Sequence, residues 1–289
     1  MKALNTQNVK AGFLSLMLLL LIVVVWGIAT APSTVATSEI SAEELEYLQL
    51  MGQDPASASQ QTASSFPRPS ELGATIVSQL AHPFYDNGPN DKGIGIQIAH
   101  SLGRVAVGFS MAALIAIPVG FLIGMSPLAF KVLDPFIQIL KPISPLAWMP
   151  IALYTIKDST ASGIFVIFIC SIWPMLMNTA FGVANVRKEW LNVARTLEVG
   201  QLRKAFCVIL PAAAPTIVTG MRISMGIAWL VIVAAEMLVG GTGIGYFVWN
   251  QWNNLSLSDV IFAILMIGIV GMILDMCFAQ LQKAVTYVD

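Results

Sequence analysis

RKEWLNVARTLEVGQLRKAFCVILP, residues Arg187 to Pro211, is a short polar island between two long apolar stretches. It holds five of the chain's 15 Lys and Arg residues. A loop this basic between membrane spans marks the cytoplasmic face. Trp190, Ala194 and Leu197 recur at i, i+4 and i+7, with Leu191 beside them. That spacing predicts a short amphipathic helix within 187–204, polar on its back. Pro211 stands at the mouth of the next apolar run, where a helix can begin. Two readings follow for the island: a topological connection carrying positive-inside charge, or a surface on which a partner docks.

The flanking sequence decides the compartment. The 289 residues are 56% hydrophobic and 11% charged, with a mean hydropathy of +0.77. A soluble domain carries about 25% charged residues, so this is a polytopic, all-α membrane protein. Its net charge of −1 identifies no partner, because the charges are segregated by loop. Cys170, Cys207 and Cys277 are scattered in or beside apolar runs without metal-ligand spacing, and are read as small packing residues.

Six apolar runs are predicted to span: Ala11–Ala31, Ile98–Met125, Val132–Ile156, Ala161–Val183, Pro211–Val239 and Asp259–Leu281. The first is apolar almost throughout Phe13 to Ile28, longer than the roughly 7–15 residues of a signal-peptide core. It is read as a retained helix; a signal peptide cleaved after Ala29-Thr30-Ala31 is the alternative. The chain then divides into an N-terminal helix (1–31), an outer segment (32–97) and a core domain (98–289). The outer segment is acidic near its start, with Glu39, Glu43, Glu44 and Glu46 forming a short helix candidate capped by Ser41. SASQQTASS (57–65) reads as linker, and Leu72, Ile76 and Leu80 suggest an interfacial helix over 70–80. With both termini inside, Lys131, the 187–211 island and Lys283 fall in the cytoplasm, and the outer loops keep Arg68, Lys92 and Lys157. In the third run, ILKPISPLAWMP (139–150) is broken by prolines. Broken helices are tolerated in lipid where they face protein or a watery cavity, so this stretch lines a pathway or makes a packing kink.

Enzymatic signatures are missing. There is no phosphate-binding Gly-x-x-x-x-Gly-Lys-Ser/Thr loop and no His-Glu-x-x-His pair. His82 and His100 lie near the outer face and read as surface or packing residues. Neither a metal, a cofactor nor a nucleic acid is expected to bind this chain. Charges inside spans are costly and mark candidate sites by default. Arg104, Lys141, Arg222 and Glu236 are such charges, and Lys157 adds a cation at an outer edge. Arg222 and Glu236 lie about 21 Å apart along one helix, so each needs a partner elsewhere: a structural ion pair or the transported solute. VGGTGIG (239–245) reads as a flexible outer connection, either a gate loop or a tight link.

The 187–211 island resembles the coupling loop of ABC importer permeases. That consensus is Glu-Ala-Ala, three residues, Gly, nine residues, Ile, one residue, Leu-Pro. Asn192, Val193 and Ala194 stand at the Glu-Ala-Ala positions, and Val208, Leu210 and Pro211 match its tail. Glu198 stands where the family has Gly, and a Gly follows at Gly200. Ser101–Ser126, Lys141–Ser159 and Gly220–Leu238 look like permeases of the nitrate, sulfonate and taurine group. The resemblance spans about residues 98 to 285. Within that group, Lys157–Val186 is similar to the nitrate, nitrite, cyanate and bicarbonate branch best known from cyanobacteria. The resemblance implies a type I ABC importer permease in the bacterial inner membrane, acting as a homodimer. Two cytoplasmic ATPases holding ATP and Mg²⁺ and a periplasmic solute-binding protein would complete it. It further implies ATPase coupling through Trp190, Leu191, Ala194, Leu197, Glu198, Gly200, Leu210 and Pro211. The cations Arg104, Lys141, Lys157 and Arg222, with Glu236, are the candidates for a path carrying nitrate, with nitrite second. Bicarbonate, cyanate or an organosulfonate is the alternative cargo; outside the class, a secondary anion transporter is.

This topology has a direct test. An impermeant thiol reagent applied to intact cells should label Ser59→Cys and spare Gln201→Cys; the reverse pattern overturns the orientation. A mature chain starting at Pro32 would show the first run to be a signal peptide.

Overall fold

In a computed structural model the described residues are 2–31, 66–88 and 90–286, and they are almost entirely helical. The acidic stretch at 39–46 and the 57–65 linker lie outside them. The chain divides into two compact units, Met1–Ala81 with Leu255–Phe262, and His82–Asn254 with Ala263–Asp289.

In the first unit, α1 (Lys2–Ala29) contains an apolar stretch, Lys10–Ala29, long enough to cross a membrane. It is followed by α2 (Pro69–Ala81). The indole N–H of Trp26 donates to the Pro67 carbonyl at 3.1 Å, and its ring meets Phe66 edge-on. Pro69 opens α2, where its missing N–H is no loss. The Glu71 carboxylate accepts from the Arg68 N–H at 3.0 Å, closing the first turn.

In the second unit, α6 (Ser159–Ala184) packs along both α3 (Ile94–Met125) and α9 (Leu210–Val239). Small residues permit the approach to α3. Gly108, Ala112, Ala116, Gly120 and Gly124 recur every fourth residue and line one face. A Cβ on Gly120 would lie 2.7 Å from the Leu176 carbonyl and 2.8 Å from Thr179 Cβ. Without a hydrophobic force between helices in lipid, such backbone contact is what holds them. On the other side, the buried Ser224 hydroxyl donates to the Ser171 carbonyl at 2.7 Å, tying α9 to α6.

The third expected span is two helices. α4 (Pro127–Leu140) and α5 (Pro145–Ile156) meet at 90°. Each half begins Ser-Pro: Ser126 Oγ accepts from the Ala129 N–H and Ser144 Oγ from the Leu146 N–H, both at 3.3 Å. A capping serine followed by a first-turn proline starts a new helix, so the segment restarts at Ser144. Among the described residues, five helices are long and apolar enough to cross a membrane, or six if this bent pair counts as one crossing. The other spans begin or end within a few residues of expectation, the last being α11 (Leu257–Val285).

The glycine stretch is followed by a helix that the sequence reading left out, α10 (Ile244–Asn253). Tyr246 Oη–H donates to Asn90 Oδ1 at 3.0 Å, and Asn250 Nδ2 donates to the Asn90 carbonyl at 3.3 Å. These bonds anchor α10 to the 82–93 loop. In that loop Lys92 pairs with Asp86 at 3.2 Å and, with the Gly88 N–H, holds its carboxyl below the usual carboxylate range. His82 and His100 are both exposed, as a surface role requires. Of the cysteines, Cys170 is half-buried, but Cys207 and Cys277 are exposed, so those two do not pack within the chain.

Gly120→Leu should wedge α3 from α6. Overpacking of this kind costs about 1–3 kcal/mol. The amount of intact permease in membranes should fall several-fold by immunoblot. Gly103→Leu, where an added Cβ meets nothing within 4 Å, should leave it unchanged.

Candidate functional site

The polar island folds as two short helices, not one helix over 187–204. α7 (Lys188–Thr196) ends in a turn, α8 (Gln201–Lys204) follows, and a π-turn at Ala205–Ile209 leads into α9. The expected apolar stripe is also split. Ala194 is buried, and Leu191 packs on a cluster of Val183, Val186, Ile209, Ala213 and Ile217. Those residues come from the end of α6, the loop beyond it, the π-turn and the start of α9. Trp190, Val193 and Leu197 point outward, 44%, 59% and 70% exposed. The helix is therefore apolar on two sides: 191 and 194 seat it on the chain, and 190, 193 and 197 face away. Arg187 covers the Trp190 ring at 5.2 Å. Leu202 and Phe206 extend the exposed apolar surface into the next turns.

Glu198 closes α7 in the left-handed region, at φ 50. Its N–H bonds to the Arg195 carbonyl, and the Val199 N–H bonds to the Ala194 carbonyl, both at 3.0 Å. This is a Schellman cap, whose left-handed position favours Gly.

Within the spans, Arg104 and Glu236 form one buried network. Arg104 Nη1 lies 2.7 Å from Glu236 Oε1 and 2.7 Å from the Thr242 carbonyl. Ser101 Oγ sits 2.9 and 2.8 Å from the two Glu236 oxygens. Three N–H groups at the start of α10 are taken: Gly243 by Gln97 Oε1 at 2.6 Å, Ile244 by Ser101 Oγ at 2.9 Å, and Gly245 by Glu236 Oε2 at 3.0 Å. Polar side chains from α3 and α9 thus cap α10 from outside it, and the negative carboxylate sits at the helix's positive end. A Cβ on Gly243 would overlap the Glu236 carboxylate. The glycine stretch is a tight, pinned connection, and Glu236 is committed to holding it. Arg104 is not snorkelling, yet its side chain retains an edge on an open cleft of about 620 Å³, shared with His100 and Thr160.

Arg222 pairs with Asp275 of α11, which the sequence reading overlooked. Nε meets Oδ1 and Nη2 meets Oδ2, each at 2.6 Å. The remaining nitrogen, Nη1, lies 3.4 Å from Gln282 Oε1. A lone Arg or Asp at a helix centre costs about 2.5–3.5 kcal/mol on insertion scales, so pairing is the expected outcome. The signal available was a carboxylate inside the sixth apolar run. Lys141 stands exposed at the corner between α4 and α5, and Lys157 is exposed between α5 and α6 in the left-handed conformation, at φ 60. The structure does not bring Lys141, Lys157, Arg104 and Arg222 into one cluster: Arg104 and Arg222 occupy separate networks.

Comparison with known proteins now places the chain. Residues 116–286 match the family described as the binding-protein-dependent transport system inner membrane component. The chain belongs to that family. Over 222 residues it is 47% identical to the nitrate import permease protein NrtB of Synechocystis sp., covering 77% of this chain and 81% of that protein. It is 45% identical to the bicarbonate transport system permease protein CmpB of the same organism, covering 71% and 74%. To the taurine transport system permease protein TauC of Escherichia coli it is 32% identical, covering 65% and 69%. Among solved structures, the MetNI methionine ABC transporter superposes with a TM-score of 0.58 at 15% identity, covering 65% of this chain and 94% of that one. At that identity the likeness is one of fold, and the fold is that of a type I ABC importer permease.

This binding-protein-dependent permease is thus a multi-pass inner-membrane transport subunit. The left-handed turn at Glu198 explains the position at which the coupling-loop consensus carries Gly. An L-residue there costs about 1–2 kcal/mol. Glu198→Gly should relieve that cost and keep full ATP-driven uptake in membrane vesicles. Glu198→Val, branched beside the backbone, should lower uptake at equal permease content. Loss of uptake in the Gly variant would show that the carboxylate, not the turn, is needed.

Proposed function

We propose that this chain is the membrane permease of an ATP-driven importer for nitrate, with nitrite as a second substrate. The similarity to NrtB along most of the chain carries this reading. The bicarbonate permeases follow closely and supply the second reading. Nitrate and bicarbonate are both small planar oxyanions, so one cationic path suits either, and selection between them falls to the outer binding protein.

The working assembly has two permease copies, two cytoplasmic ATPases that bind ATP and Mg²⁺, and a periplasmic solute-binding protein. Both termini and the α7–α8 segment lie in the cytoplasm, which requires the bent α4–α5 pair to make a single crossing. The outward face Trp190, Val193 and Leu197 docks on an ATPase. Leu191, packed on the cluster formed by the ends of α6 and α9, passes the ATPase motion to them, and the buried Ala194 helps seat the helix. Rigid helices then rock between outward and inward access. Glu198 and Gly200 set the turn after α7. Leu210 and Pro211 root the segment in α9. Of the path candidates, Lys141, Lys157 and Arg222 remain as cations for the anion, with the exposed edge of Arg104 near the outer end.

Proteoliposomes holding the complete assembly should take up labelled nitrate with ATP and the loaded binding protein. Leu197→Asp should leave the permease in the membrane and ATP hydrolysis running, while uptake drops at least roughly tenfold, a coupling loss of about 1.4 kcal/mol. Normal uptake in that variant overturns docking through α7. Uptake of bicarbonate with nitrate excluded overturns the substrate.

A further inference from the structure

Arg222 and Asp275 are an ion pair in an unusual position. Arg222 lies twelve residues into α9, about 18 Å along its axis, and Asp275 ten residues before the end of α11, about 15 Å. Both are therefore well inside the apolar spans. Yet their side chains are 37% and 53% exposed. Hydrocarbon does not tolerate an open charge pair, so this face lines water or protein. The pair is already complete within one chain and needs no second copy to satisfy it, which favours water.

The geometry adds a chemical specification. The guanidinium presents its Nε and Nη2 edge to both carboxylate oxygens at 2.6 Å each. A carboxylate and a planar trigonal oxyanion offer the same two-oxygen edge to that fork, whereas a spherical halide does not. The third nitrogen is steadied by Gln282 Oε1, and Gln282 in turn donates to Thr219 Oγ1 at 2.9 Å. The arginine is thus held in place even when its carboxylate leaves. Glu236, the acid that α9 itself carries, is engaged with Arg104 and does not compete.

We propose that Arg222 is a transit site for a planar oxyanion and that Asp275 is its built-in competitor. The arriving anion displaces the carboxylate from the fork, and the carboxylate returns to expel it, so that binding stays weak enough for release. This rests on the reading of the chain as an importer of small oxyanions, and it adds where the anion pauses and why it leaves.

The test uses the complete complex in lipid nanodiscs, with equilibrium binding of labelled nitrate, bicarbonate and chloride, and with uptake after reconstitution. Asp275→Asn should bind nitrate roughly tenfold tighter than the wild type, the order expected for removing one opposing charge. Its gain for chloride should be smaller. In the Arg222→Lys/Asp275→Asn double variant the preference of nitrate over chloride should vanish, because a point charge lacks the fork. Arg222→Gln/Asp275→Asn keeps the side-chain volumes and removes both charges; it should assemble normally and lose most uptake. Wild-type uptake in that last variant would make the pair a mere interhelical tie and overturn the proposal. So would unchanged anion binding in Asp275→Asn, or dissociation of the permease copies in the double-neutral variant, which would mark a subunit contact. Tighter binding of bicarbonate but not nitrate in Asp275→Asn would uphold the site while overturning nitrate as the cargo.

Discussion

A hydrocarbon interior offers no hydrogen bonds, and that constraint arranges the charges in the long spans. Glu236 is buried near the C-terminal end of α9 because Arg104, Ser101 and the Gly245 N–H surround it. A lone buried carboxylate would carry a penalty of several kcal/mol. Meeting that demand also solves a second problem: three of the free N–H groups that begin α10 are satisfied by the same network. One carboxylate thereby joins three elements; Gly243 is needed because a side chain there would overlap that carboxylate, and Gly245 because one would overlap the Val233 carbonyl. This end of the permease is consequently a pinned connection, not a loose gate.

The opposite end follows a different logic. α7 is too short to be stable alone and too polar to enter the membrane, so it is held by packing Leu191 on the ends of α6 and α9 and by burying Ala194. Two inward residues suffice to seat it, which leaves Trp190, Val193 and Leu197 exposed in water. An exposed apolar strip on an otherwise charged helix marks an interaction surface. The close-packed α3–α6–α9 core between the two ends gives motion at α7 a rigid body to move, since interfaces of this density shift as units.

Much of this was legible in the chain. Apolar runs long enough to span reported the membrane helices, because hydrophobic length is a one-dimensional property. Basic residues in 187–211 and the Leu-Pro after them marked the polar segment between α6 and α9, because charge and proline act locally. The prolines of 139–150 reported that the third span is broken, and the Ser-Pro pairs at 126–127 and 144–145 held the further signal for where each half begins. Expectation failed where it depended on which way a residue faces. Trp190, Ala194 and Leu197 are compatible with one stripe at helical spacing, but the seat beneath α7 turns Ala194 inward and Leu197 out.

Sequence by itself determined the all-helical membrane class, the spans to within a few residues, and the family. It determined also that Arg222 and Glu236, fourteen residues apart on one rigid helix, cannot pair with each other. The tertiary structure alone decided their partners. Arg104 is 132 residues from Glu236 and Asp275 is 53 from Arg222, and both meetings depend on how separate helices pack side by side. Hydrophobic length and helical period are written along a chain; the choice of neighbour across a helix interface is set by shape and by the need of each buried charge for a counter-charge, and it exists only once the helices are together.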